Sequence, residues 1–292
     1  MSKTVFAALL LAATAGFARA EPPKPLLWKV SDADNSIYLL GSFHLLKASD
    51  YPLADSTYAA LEDAERVVFE LAPAEMNDPA LGQKMGAAAL RSDGRTLQQS
   101  LPEATWNQLS AYTARRNIPI ANFQRYEAWF ISLMVGVTEM QAIGLDPALG
   151  LDKHFAQRAV DAGKPVAGLE TGDQQIALFD GMDEKEQLQS LQDTLSEVAS
   201  IEAEIGKMHA LWRAGDGDAL FAATGAQMEA EYPALYQRIN VGRNRAWMPR
   251  LSGMLDDSAS DDTLVVVGAM HLLGEDGVVA MLRAKGYTVE RL

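Results

Sequence analysis

The chain has no cysteine. That excludes disulfides, thiolate metal sites and cysteine nucleophiles. Stability must come from a packed core alone, and the roughly 270 residues after the first twenty suffice for one. Basic residues are scarce: 25 Lys and Arg face 39 Asp and Glu, for a formal net charge of −14. Nucleic acid and anionic membranes both call for basic patches, so this balance argues against either as a partner. Common catalytic signatures are missing as well. There is no Gly-x-Ser-x-Gly elbow, no Gly-x-x-x-x-Gly-Lys-[Ser/Thr] loop, no His-Glu-x-x-His and no Gly-x-Gly-x-x-Gly behind a strand. Gly215-Asp216-Gly217 stands isolated and reads as a loop.

What is present begins with a leader pattern. Lys3 precedes an Ala- and Leu-rich apolar stretch from Val5 to Phe17, and Ala18-Arg19-Ala20 supplies small residues before a cleavage point. The stretch is too short and too rich in Ala for a membrane span. No cysteine follows it, which excludes a lipoprotein. Residues 1–20 are therefore expected to be a cleaved signal peptide, leaving a periplasmic or secreted protein with no stable membrane anchor. Losing Lys3 and Arg19, and no acid, takes the net charge from −14 to −16. Residues 21–292 are expected to form a single α/β domain.

Only four histidines occur, and two share one context. Gly41-Ser42-Phe43-His44 follows the apolar run Ser36 to Leu40, and Gly268-Ala269-Met270-His271 follows Thr263 to Val267. Each reads as a strand running into Gly-x-x-His. Adjacent strands of this kind would aim two imidazoles at one point, and neutral imidazole is the commonest protein ligand for transition metals. His154 and His209 lie in helical segments and read as surface or packing residues.

Strands are expected at Ser36–Gly41, Arg66–Leu71, Pro119–Phe123, Pro165–Leu169, Leu264–Gly268 and Thr288–Arg291, all short and apolar or β-branched. Helical spacing covers Leu53–Ala64, Pro102–Arg116, Tyr126–Ile143 and Asp152–Ala162. This alternation predicts an α/β fold: a central, mostly parallel or mixed sheet flanked by helices. Asp183 to Lys207 is a long acidic amphipathic stretch, and Ala219–Ala230 and Pro233–Asn244 continue its helical character. A helical insert is expected near residues 180–240. The segment Glu21 to Pro25 reads as loose.

Acids at strand ends complete the candidates. Glu70 closes Val67-Val68-Phe69 and Glu170 closes Val166-Ala167-Gly168-Leu169. Residues there point into the loops where α/β proteins place their sites; alternatively, Glu70 is a helix cap or a solvated edge, and Glu170 is a structural partner for a nearby arginine or backbone amide. Asp152 reads as the N-cap of its helix. Arg243 and Asn244 form either a surface basic cluster or a pair able to orient a carboxylate or polarise a carbonyl.

Taken together these segments resemble the TraB/GumN family, which includes the Tiki proteins. The matching segments are Gly-Ser-Phe-His44 behind Tyr-Leu-Leu, Val-Val-Phe-Glu70, Gly-Leu-Asp152, Pro-Val-Ala-Gly-Leu-Glu170-Thr followed by Gln174 and Gln175, Arg243-Asn244, and Val-Val-Val-Gly-Ala-Met-His271. The resemblance implies an α/β fold with both Gly-x-x-His loops close together and a divalent-metal-dependent peptidase. Under it, His44 and His271 with one acid, Glu70 first and Glu170 second, hold Mn, Co, Zn or Fe. The remaining carboxylate serves as general base, and Arg243 or Asn244 stabilises an oxyanion. A peptide or protein is then the substrate. Two alternatives stay open: a non-enzymatic binding or polysaccharide-associated protein, and a metal-independent hydrolase with histidine as base.

Overall fold

A computed structural model describes residues 21–256 and 261–292. The expected signal peptide, residues 1–20, lies outside the described residues. Six strands build one mixed sheet: β1 (Leu27–Ser31), β2 (Ser36–Ser42), β3 (Arg66–Leu71), β4 (Val166–Glu170), β5 (Thr263–Gly268) and β6 (Thr288–Arg291), in the order β4-β3-β5-β2-β1-β6. β4, β3, β5 and β2 run parallel, while β1 is antiparallel to both β2 and β6. Every residue of β2 and β5 is buried. That accounts for their unbroken apolar runs, since a parallel strand covered on both faces has no polar side.

Register brings the C-terminal ends of the parallel strands to one edge. Ser42 pairs with Gly268, Phe69 with Val266 and Leu71 with Glu170. The helix Leu151–Asp161 packs on β3, β4 and β5, and the helix Gly242–Asp256 packs on β2. Ile37, Leu39, Val67, Phe69, Phe155 and Leu251 share the main core.

The helical insert is present, and it is not self-contained. Its helix Glu184–Glu197 packs against Glu103–Arg115 and Ala128–Ala142 from the β3–β4 connection. Leu109, Tyr112, Ile131, Val135, Leu191 and Leu195 make a second core there. Ser132 is buried in this contact, with Ser190 Oγ at 3.0 Å and Thr194 Oγ1 at 2.7 Å.

Four expectations need correction. Pro119–Phe123 is not a strand: Ile120–Phe123 forms a 3₁₀ turn whose Ile120 and Phe123 pack on the helical core and not on the sheet. β1 was not anticipated, and it starts two residues after Pro25. Asp183–Lys207 is two helices, Glu184–Glu197 and Ile201–Ala214. Pro233–Asn244 is a short helix, Pro233–Tyr236, then a π-helical turn, Gln237–Val241, before the helix that starts at Gly242. In that turn the Gly242 amide reaches back five residues to the Gln237 carbonyl.

Candidate functional site

Glu70 stands at the centre of the site. The Gly268 amide donates to its Oε1 at 2.7 Å, and Arg243 Nη2 donates to its Oε2 at 2.5 Å. The same Oε1 lies 4.0 Å from His44 Nε2 and 3.8 Å from His271 Nε2. All three side chains converge over Gly268. A methyl group added there would lie 3.1 Å from His44 Nε2, 3.2 Å from Glu70 Oε1 and 3.5 Å from His271 Cδ2. The glycine leaves that space open.

Each imidazole is held through its other nitrogen. His44 Nδ1 lies 3.2 Å from Asp152 Oδ1, which also accepts from Ser42 Oγ at 3.1 Å. His271 Nδ1 lies 2.7 Å from Asn244 Oδ1. An amide oxygen can only accept, so His271 carries its proton on Nδ1 and presents the Nε2 lone pair. Asp152 thus does not cap its helix. Gly150 is the N-cap, and Asp152 in the first turn faces His44 instead. Gly150 is also needed for close approach, because a Cβ there would sit 2.2 Å from the His44 carbonyl oxygen.

Arg243 ties the acids together. Its Nε donates to both Glu170 oxygens at 3.1 Å, Nη2 reaches Glu70 and Glu170, and Nη1 donates to His271 Nε2 at 2.8 Å and to the Ile239 carbonyl at 3.2 Å. Gln175 Nε2 and Trp247 Nε1 also donate to Glu170, at 2.7 and 3.3 Å. Glu170 is therefore the arginine partner that its strand-end position allowed. Asn244 is fully buried, and its Nδ2 donates to the Asp276 carbonyl at 2.8 Å. It fixes His271 and does not face open space.

The electrostatics separate the two histidines. Burial disfavours charge on His44, but the hydrogen bond and charge of Asp152, together with Glu70, outweigh it and push its pKa up to about 9. Its ring is half exposed, which weakens the burial penalty. His271 is buried against Trp247, and burial with the Arg243 charge pushes it down to about 3 despite Glu70. For Glu70, burial opposes ionisation, while His271, Arg243, His44 and the Gly268 amide outweigh it and hold it at about 2. Since His271 is itself kept neutral, Arg243, the protonated His44 and the Gly268 amide supply that effect near neutral pH.

His44, Glu70, Glu170, Arg243, Asn244 and His271 are all brought together here. Sequence reading missed the roles of Ser42, Trp247 and the Asp152 carboxylate. His209 is engaged elsewhere. It is buried against Asp50, 2.8 Å away, and packs beside Phe43 in the loop that carries His44. His154 sits between Tyr51, Tyr58 and Arg158.

The donor chemistry suits a divalent ion: two imidazole Nε2 atoms, each oriented by an acceptor on Nδ1, face one carboxylate oxygen. Separations of 3.8 and 4.0 Å exceed the roughly 3.3 Å between ligands around a tetrahedral ion with bonds of about 2.0–2.1 Å. Arg243 also holds the His271 lone pair. Accordingly, no set of three or more His, Asp or Glu side chains among the described residues is closed for a metal. Beside these groups opens a cleft of about 300 Å³ lined by Glu70, Arg243 and His271 on one side and mainly apolar residues on the other. A cavity of similar size between Glu184–Glu197 and Met228–Leu235 touches none of the six residues.

An α/β sheet whose parallel strand ends gather two Gly-x-x-His imidazoles, two glutamates and an arginine is a defined class of site. The chain belongs to the TraB/PrgY/gumN family, whose model matches residues 26–291. It is 26% identical over 249 residues to the uncharacterized protein YbaP of Escherichia coli strain K12, covering 84% of this chain and 87% of the relative. With metalloprotease TIKI2 of Danio rerio it shares 23% over 305 residues, covering 87% of this chain and 58% of that protein. A metalloprotease TIKI homolog of Amphimedon queenslandica is 22% identical over 316 residues, 91% of this chain and 61% of its own length. The chain thus spans about three-fifths of the TIKI proteins it matches. No solved structure matches it.

Proposed function

We propose that this protein is an exported, divalent-metal-dependent hydrolase acting on peptides or proteins. The observation that carries the reading is the convergence of His44 Nε2 and His271 Nε2 on Glu70 Oε1 at 4.0 and 3.8 Å, with both Nδ1 atoms already engaged. Similarity to proteins named metalloproteases supports the reaction class. His44, His271 and Glu70 would hold the ion, and Mn, Co, Zn and Fe all suit two imidazoles and a carboxylate. Such an ion, when bound, supplies Lewis acidity and makes a water more acidic near neutral pH.

The chain's own groups do the rest. Asp152 and Asn244 hold the two rings in place. His44 must give up its proton before it can act as a ligand, which makes metal affinity rise with pH. Glu170, bound by Arg243, Gln175 and Trp247, positions Arg243. Nη1 donates to His271 Nε2 and to the Ile239 carbonyl, while Nη2 donates to Glu70 Oε2. Once the His271 lone pair is given to an ion, that Nη1 contact is released, leaving the donor to turn to a substrate oxygen as negative charge develops there.

Exhaustive chelation should abolish hydrolysis of a peptide library, and one of the four ions should restore it. His44→Ala, His271→Ala and Glu70→Gln should each remove activity with the fold intact, and the losses should not add. Undiminished activity in chelator would sink the metal reading. A library left uncleaved under every metal would leave the binding-protein alternative. The metal-free reading with His44 as base is disfavoured, because that ring is protonated at neutral pH without a metal.

A further inference from the structure

Two buried donors near the site have no work in it. Tyr236 is 1% exposed and Asn240 5% exposed, and both line the cleft beside Glu70, Arg243 and His271. Neither Tyr236 Oη nor Asn240 Nδ2 has a hydrogen-bond partner among the described residues. Burial raises the Tyr236 hydroxyl and the nearby Asn240 amide pulls it back, yet no hydrogen bond of normal geometry joins them. Leaving a buried donor unpaired is unfavourable, so such a group needs a reason. The two sit one turn apart at the π-helical turn Gln237–Val241, an irregularity often found at functional sites.

Most of the remaining cleft wall is apolar, formed by Met85, Leu178, Phe179, Met228, Ile239 and Met270, with Gln175 and Thr224 as its other polar side chains. Three methionines make an adaptable surface, suited to more than one apolar side-chain shape. An apolar pocket with a few convergent polar groups is the usual form of a ligand site.

We propose that this cleft is the substrate subsite, taking a large apolar side chain of an extended peptide while Asn240 Nδ2 and Tyr236 Oη donate to that residue's backbone carbonyl. The proposal rests on the hydrolase reading for its position beside the reacting groups, but binding can be tested without turnover. It predicts a preference for Leu, Met or Phe, and makes Tyr236 and Asn240 specificity residues and not part of the metal site.

The test uses acetylated, amidated pentapeptides Ser-Gly-X-Gly-Ser with X as Leu, Met, Phe, Ala or Asp. Binding to the full-length mature protein is measured by calorimetry in chelator, and cleavage is measured with Mn, Co, Zn and Fe in turn. Leu, Met and Phe peptides should bind about tenfold or more tighter than Ala or Asp. Tyr236→Phe and Asn240→Leu should each weaken that binding about tenfold and raise KM more than they lower kcat, while Tm stays or rises because an orphan donor is gone. Should Asn240→Leu fail to fold, Asn240→Asp keeps the shape without the donor and should show the same loss. Equal binding of all five peptides, or wild-type affinity in both variants, overturns the subsite. Apolar preference with both losses but no cleavage under any of Mn, Co, Zn and Fe keeps the subsite and removes the hydrolase; cleavage indifferent to X does the reverse.

Discussion

At the residue scale, the two site histidines shift in opposite directions, and this fixes a stability profile for the metal-free protein. His44 rises from 6.5 to about 9, so its contribution is complete below pH 6.5 and is lost as pH climbs to 9. His271 falls from 6.5 to about 3, so the unfolded chain takes up the proton first and stability drops as pH falls from 6.5. Glu70, lowered from 4.5 to about 2, adds a further loss in that lower window. Thermal melts in chelator between about pH 4 and pH 9 should therefore peak near 6.5. His44→Ala should flatten the alkaline side and, because His44 also lowers Glu70 and His271, soften the acid side; an unchanged alkaline limb in that variant would refute the assignment.

Residues behind the ligands carry separable effects. Asp152→Ala should weaken metal binding roughly 10- to 100-fold with the fold retained, because His44 loses its orienting acceptor. Glu170→Gln should leave metal affinity unchanged while slowing turnover about 100-fold, in the range seen when an oxyanion donor is lost, since Arg243 loses its main anchor. A drop in metal affinity in Glu170→Gln would instead make Glu170 a ligand. Gly268→Ala tests the convergence itself. Its methyl would enter the space among His44, Glu70 and His271, so metal binding by calorimetry should vanish while the circular dichroism stays native.

At the scale of elements, glycines in helices give a control series. Gly136, Gly206 and Gly253 lie within the helices Ala128–Ala142, Ile201–Ala214 and Gly242–Asp256, and an added methyl meets nothing within 4 Å at any of them. Each change to Ala should stabilise by about 0.5–1 kcal/mol, and the three should add, as denaturant titration would report. Legibility also divides at this scale. β2, β3, β4 and β5 could be read because each apolar run is bounded by Gly, Pro or charge, and β6 because the β-branched pair Thr288-Val289 follows Gly286. Trp28-Lys29-Val30 is only a short alternation behind a Pro-rich segment, and its pairing to both β2 and β6 is a long-range fact. Ile120 and Phe123 were misread because apolar content says that a residue is covered, not by which layer. For the site, strand-end placement made His44, Glu70, Glu170 and His271 visible. Their orienting partners were not, since the Ser42–Asp152 bond joins residues 110 apart. Nothing local distinguishes that carboxylate from a helix cap.

The whole molecule combines a sheet core with a helical core, and the helix Ile201–Ala214 links the helical region to the strand bearing the first motif. Trp212 Nε1 donates to the Gly41 carbonyl at 3.1 Å, and its ring packs on Phe43. Export belongs to this scale as well. Protein recovered from the exported fraction should begin at Glu21 by N-terminal sequencing, and an intact Met1 would contradict the leader reading. Small metal-dependent domains collapse only when their ion arrives. Here Arg243 already sits between Glu70, Glu170 and His271 as a built-in cation. On the proposed metal-dependent reading, the chain would reach its native shape first and take up an ion afterwards, with the guanidinium holding the acids together until then. Chelated and loaded samples should accordingly give the same circular dichroism spectrum and the same cooperative melt, differing only in midpoint.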